Sequence, residues 1–240
     1  MALLGLIGDV CEQVGLVRPT SVISSLDQQV RQLLALANAE GRELSTGDSV
    51  SRAFFWTALQ TEATFTSTAV ELQGNITTLL PGFRRLLRKT MWNRSLFQRV
   101  LPITPIDWQI IKAGQVQTAY PYFRFRGKQL LFTPTPTAGQ TIAVEYHSKN
   151  WCEKSDGTVT YSAWNADTDL GLLPEELMQQ GIIWRWKAAK NFDYSEDYRT
   201  YQTMVLNAMA NDMENANINV TGDPDWQPSV AVPNGSWALP

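Results

Sequence analysis

A single histidine, His147, is where acid–base or metal chemistry in this 240-residue chain would have to start. It closes an alternating strand pattern, and neither a cysteine nor an acid stands at ligand spacing from it. No zinc set and no Ser-His-Asp arrangement assembles around it, and it reads as a sheet-edge histidine. Paired carboxylates occur at Glu175-Glu176 and Glu196-Asp197. Each pair opens a helical pattern, where the macrodipole favours acids, and adjacent helical residues point in different directions. A glycosidase needs two carboxylates facing each other about 5 to 10 Å apart. Gly5 and Gly8 lie in a helical pattern rather than after a strand, so they do not cradle a phosphate. Cys11 and Cys152 lack ligand spacing and are too few for a disulfide scaffold, which fits a reducing compartment. No catalytic residue, metal or cofactor is expected. The densest charged group is basic: Arg84, Arg85, Arg88 and Lys89, followed by Arg94 and Arg99. Such a run is either a solvated face or a contact for phosphates.

The longest helical periodicity runs from Leu173 to Glu214 and divides into two helices at a tight corner. The first opens at Pro174 with Glu175 and Glu176 in its first turn, and Leu177, Gly181, Trp184 and Ala188 form its inward stripe. Asn191 ends it. Asp193 with Glu196 three positions on predicts a variant capping box, and Tyr194, Tyr198, Tyr201, Val205, Ala208 and Asp212 then follow in near-heptad register. That seam needs a partner, either the preceding helix or a neighbouring subunit. At the other end of the chain, Leu3, Ile7, Val10 and Val14 predict a short helix stopping at Gly15. A longer one, capped by Ser24 or Ser25, carries Val30, Leu33, Leu34, Ala37 and Leu44 through Gly41. A mid-helix glycine costs about 1 kcal/mol, so Gly41 points to close helix packing. The four helices are expected to form one bundle.

The middle of the chain changes period. Leu59 to Thr66 alternates as a half-buried strand, Pro81-Gly82 breaks the chain, and Thr104-Pro105-Ile106-Asp107 opens a short helix. Tyr122, Arg124 and Arg126 alternate with Phe123 and Phe125, and Gly127-Lys128 makes a two-residue turn into a returning strand. Pro134 and Pro136 end that strand, and Ile142, Val144 and Tyr146 give a third, which together predict a β-meander. Asp156-Gly157 marks a turn in a polar surface hairpin. The expected fold is α+β: a bundle from 1–50 and 170–215, a β-rich, meander or small barrel-like insertion at 51–169, and an extended tail at 216–240.

Net charge is −3 and the isoelectric point near 5.3, which opposes nucleic-acid binding by bulk electrostatics. The first ten residues lack a basic start and are broken by Gly5, Gly8 and Asp9, so they do not form a signal peptide. No stretch approaches the roughly 20 apolar residues a membrane span needs. From Asn215 there are four prolines, no basic residue, and two isolated tryptophans, Trp226 and Trp237. Indoles are costly to leave in water, so this segment reads as an arm anchored on another protein.

The segment Pro121 to Trp151, PYFRFRGKQLLFTPTPTAGQTIAVEYHSKNW, with TMWNR at Thr90 to Arg94 and TPIDW at Thr104 to Trp108, resembles the head-to-tail adaptors of short-tailed phages. That family is also called tail tubular protein A, or the portal adaptor. The N-terminal VRPTSV and RQLLALANAEGREL and the final helical pair extend the likeness over most of the chain. The resemblance implies a non-catalytic virion protein of the neck, made in the host cytoplasm and assembled as a ring, typically of twelve copies, between the portal protein and the tail nozzle protein. It implies that Trp226 and Trp237 dock on the portal and that double-stranded DNA passes through without sequence specificity. No membrane is involved. Arg84, Arg85, Arg88 and Lys89 become candidates for the DNA channel, and Tyr194, Tyr198, Tyr201 and Val205 for the subunit interface. Two alternatives stand beside it: a tail-borne cell-wall hydrolase using Glu175 or Glu196 as acid, and a binding module stacking a ligand on Tyr122, Phe123 and Phe125.

Overall fold

The computed structural model describes residues 1–46, 54–114 and 120–212, and they form two compact units, one of residues up to Gln60 with 148–212, and the other within Thr61–His147. The mixed α+β class expected from the two periodicities is what the chain adopts.

The helical unit is built on α1 (Leu3–Val14), α2 (Gln28–Thr46), α5 (Glu175–Ala189) and α6 (Ser195–Asp212). Leu3, Ile7 and Val10 of α1 are fully buried, and Gly15 stops the helix in the left-handed region, φ 74°, its N–H donating to the Cys11 carbonyl. The cap of α2 is Asp27, not Ser24 or Ser25: its Oδ1 accepts the Gln29 N–H at 2.7 Å. A carboxylate satisfies that orphan donor with more charge than a hydroxyl does. α5 is the central helix, packing on α1, α2 and α6, with Leu177, Met178, Ile182 and Ile183 buried. Pro174 sits just outside it, and Asn191, φ 60°, turns the corner beyond its end. At the α6 start, Asp193 accepts the Ser195 N–H at 3.0 Å, but Glu196 turns to Arg199 at 3.2 Å. The reciprocal half of the expected capping box is therefore absent.

The close approach inferred at Gly41 is real: an added Cβ would lie 2.4 Å from Cε2 of the buried Trp151. Trp151 meets Trp164 edge-on at 5.2 Å. A small antiparallel sheet completes the unit, with β10 (Cys152–Glu153) between β11 (Thr160–Tyr161) and β12 (Leu170–Gly171). The β10–β11 turn carries Gly157 at φ 70°, as Asp156-Gly157 predicted. Both cysteines are free and buried, and the Cys152 thiol donates to the Tyr161 and Ala163 carbonyls at 3.3 and 3.2 Å.

The Thr61–His147 unit holds two sheets. One contains β1 (Gln60–Thr66), β3 (Phe83–Leu86), β4 (Trp92–Asn93), β5 (Gln98–Arg99) and β9 (Thr141–Ser148), with β9 pairing to β1, β3 and β4. The other runs β2 (Leu72–Asn75), β8 (Gln129–Thr133), β7 (Tyr122–Arg126), β6 (Leu101–Pro102). The β7–β8 hairpin has the predicted turn, with Gly127 at φ 59° and Phe123 opposite Phe132. The third strand does not continue it, so there is no meander. Pro134 and Pro136 cannot donate to a ladder. β9, moreover, is buried on both faces, which a half-exposed third strand of a meander could not be. Ile142, Val144 and Tyr146 still face inward, joining Phe123, Leu130 and Phe132 in a core shared by the two sheets. The short helices α3 (Ile76–Leu79) and α4 (Pro105–Gly114) flank it, and Thr104 caps α4, its Oγ1 accepting the Asp107 N–H at 3.2 Å.

Candidate interaction surfaces

The helical unit hides its main charged cluster. Glu40, on the inward face of α2, is 0% exposed; its Oε2 accepts from Arg185 Nε at 2.7 Å and its Oε1 from the Tyr201 hydroxyl at 2.6 Å. Arg185 also reaches Glu43 and lies over the Trp184 ring at 4.5 Å. Gly181 makes room, since a Cβ there would sit 2.2 Å from the Glu40 carboxyl carbon. Burial pushes the Glu40 carboxyl up, opposed by Arg185, and burial beside Glu40 pushes the Tyr201 phenol up. A carboxylate sealed this way meets no substrate; it ties α2, α5 and α6 together. Sequence reading missed it. The available signal was an acid at position 40 in the stripe of Val30, Leu33, Ala37 and Leu44.

The aromatic seam finds its partner inside the chain. Tyr201 and Val205 are buried, whereas Tyr198 is half-buried and Tyr194 is 42% exposed. Trp184 of α5 meets Tyr198, Tyr201 and Tyr194 at 5.0, 6.0 and 6.3 Å. Tyr194 and Tyr198 are the surface part of this aromatic group, and the exposed Phe192 packs on Trp186 at 5.7 Å. Trp226 and Trp237 lie outside the described residues.

The acids considered for hydrolysis do not face each other. Glu175 lies 3.4 Å from the Met1 amino group, and Glu196 is exposed beside Arg199. Among the described residues no group of three or more His, Cys, Asp or Glu is placed to hold a metal, and no helix is long and apolar enough to cross a membrane. The hairpin aromatics are core: Phe123 is buried and Phe125 packs on Phe83 at 5.5 Å. Their alternation already placed them on one apolar face.

The basic run starts on β3 and continues past it. Arg84 and Arg85 are in the strand, with Arg84 half-buried, and Arg88 and Lys89 are exposed beyond it. Arg84 and Arg85 lie near His147, which is buried in β9 rather than at a sheet edge. Burial, reinforced by the two guanidinium charges, lowers the His147 pKa below its ordinary 6.5. The sign follows directly. The folded chain keeps the ring neutral while the unfolded chain takes a proton below 6.5, so stability falls as pH drops through 6.5 toward the lowered folded value. With one histidine in the chain, His147→Gln is expected to flatten that part of the melting-temperature profile between pH 7 and 5.

Charge is segregated along the sequence. Thr61–His147 carries ten Lys and Arg against four Asp and Glu, a net +6, and the remainder carries ten against nineteen, a net −9. Beside the basic run, a groove of about 510 Å³ is lined by Glu62, Lys89, Trp92, Arg94, Phe97 and Glu145, with others. Asn93 Oδ1 accepts the Ser95 and Leu96 N–H groups at 3.1 Å, which fixes the β4–β5 turn bearing Arg94 and Phe97.

The family described as SU10 adaptor protein matches residues 1–233. No curated protein matches the chain. The match takes in both helical ends, the β-rich middle and the stretch containing Trp226, and such adaptors are structural rather than catalytic components of the virion. With a match of that extent, this chain belongs to the SU10 adaptor protein family of phage proteins.

Proposed function

We propose that the protein is a head-to-tail adaptor that assembles as a dodecameric ring between the portal and the tail nozzle, extends the DNA channel and retains the packaged genome. The observation that carries this reading is the family match across residues 1–233. The helical bundle of 1–50 and 170–215 makes the ring, the β-rich part of the 51–169 insertion that folds separately, Thr61–His147, faces the nozzle, and 216–240 docks on the portal. Tyr194 and Tyr198 are the interface aromatics, because they keep exposed surface, while Tyr201 and Val205 support them from within. Arg84, Arg85, Arg88 and Lys89 belong to a segment of net +6, and phosphates sliding past in a channel meet such a segment without base recognition.

The test is the mass of the purified protein, alone and mixed with a portal ring. Recruitment of one copy per portal subunit is the expected result. Changing Trp226 and Trp237 together to Ala should leave the adaptor's own mass unchanged and remove recruitment, because buried indoles dominate docking energies. A protein that stays free of the portal overturns the reading.

A further inference from the structure

Two departures from ordinary backbone geometry meet at the groove beside the basic run. Lys89 has φ 63° and Phe97 φ 54°, in the left-handed region that a lysine or phenylalanine rarely enters. The Phe97 ring is nonetheless 55% exposed. Phe97 takes this conformation in the β4–β5 turn that Asn93 fixes, and left-handed residues that present a ring at a groove recur at ligand clamps. Trp92 and Ala143 supply an apolar lining, and the rim is mixed: Lys89 and Arg94, with Glu62 paired to Arg94 and Glu145 contributed by β9. A floor of this kind takes an indole or phenyl ring. A rim of this kind takes one or two carboxylates beside it, but not a long acidic run, which Glu62 and Glu145 would repel.

We propose that the groove receives the Asp223-Pro224-Asp225-Trp226 segment of the chain's own C-terminal stretch. Beyond Asp212, where α6 ends, 28 residues follow, and they carry three acids, Glu214, Asp223 and Asp225, and no Lys or Arg. That stretch is complementary in sign to the net +6 of the segment that contains the groove. It holds two indoles, and only Trp226 has acids beside it; Trp237 lies in Gly235-Ser236-Trp237-Ala238-Leu239. Trp226 fills the apolar floor while Asp223 and Asp225 meet Lys89 and Arg94. The inference does not rest on the ring or on contact with a portal. It gives Trp226 a seat in the free protein, which a portal would have to empty.

The full chain with p-benzoylphenylalanine in place of Trp226 is irradiated without any partner, and the adducts are mapped by mass spectrometry. The main adduct is expected within residues 89–97, and the same photo-residue in place of Trp237 is expected to give none there. Reversing the rim with Lys89→Glu and Arg94→Glu should lower the yield about tenfold, the loss of two exposed charge contacts. Adding Asp223→Lys and Asp225→Lys to that variant should restore it. Both rim residues are exposed, so the loss of the Arg94–Glu62 pair should move the melting temperature by only a few degrees. An adduct elsewhere, or a yield indifferent to both charge reversals, overturns the proposal whatever a portal does.

Discussion

Replacing Arg185 by Ala is expected to destabilise the helical unit by about 3–5 kcal/mol, because it strands a buried carboxylate without its counter-charge. Glu40 is 0% exposed and has two partners, Arg185 at 2.7 Å and the Tyr201 hydroxyl at 2.6 Å. The hydroxyl alone cannot balance a full charge away from water. In a chain of this size the loss corresponds to a drop in melting temperature on the order of 10 °C. Two controls separate this mechanism from lost packing. Adding Glu40→Gln to the variant removes the stranded charge, keeps a side chain of the same shape for Tyr201, and should recover a large part of the loss. Acidification should also help the single variant. Burial already holds the Glu40 pKa above its ordinary 4.5, and without Arg185 it rises further, so the carboxyl takes a proton and the penalty fades as pH falls through that raised value. An Arg185→Ala chain that melts like the parent at neutral pH would show that the pair contributes nothing.

Gly41→Ala should cost about 2 kcal/mol, although alanine is the better helix former by about 1 kcal/mol. The two effects oppose each other, and geometry decides between them. The new Cβ would lie 2.4 Å from Cε2 and 2.5 Å from Cδ2 of Trp151. That indole is fully buried and set edge-on against Trp164, so it has nowhere to go. Gly5→Ala is the matched control, since its Cβ would meet the end of the Met1 side chain at 2.7 Å, and a flexible thioether moves aside cheaply. Thermal melts of the two variants should therefore shift in different directions, down for Gly41 and level or slightly up for Gly5. Equal shifts would mean that helix propensity outweighs packing at position 41.

What could be read from the sequence tracks the range over which each feature is encoded. Gly15 as the stop of α1, Thr104 as the cap of α4 and Gly127-Lys128 as a hairpin turn are written within four residues of where they act. Gly41 was legible for a different reason: a glycine inside a helical stripe is costly unless something sits against it. The pairing of β9 was not legible. Ile142, Val144 and Tyr146 specify a face and leave the neighbouring strand open, and β1, β3 and β4 are distant in sequence or too short to signal. Only the burial of its other face, through Ala143 and His147, would have ruled out the meander. The Glu40–Arg185 pair spans 145 residues, and no local period reports such a contact. The groove combines Glu62, residues 89–97 and Glu145, so its parts carry no common spacing. Charge segregation could have been counted directly, and the overall −3 conceals it.

Cys11 and Cys152 lie in the helical unit, and no cysteine occurs between Thr61 and His147. Both thiols are shielded, and burial raises the pKa of each, that of Cys152 to about 12. The folded chain therefore offers a thiol reagent almost no thiolate. The protein thus carries a silent pair of reporters: reaction with a maleimide times the opening of the helical unit, its small sheet included, and is blind to the Thr61–His147 unit. A cysteine introduced on the surface becomes the one fast-reacting handle, so a dye can be placed on either unit without first removing the natural thiols.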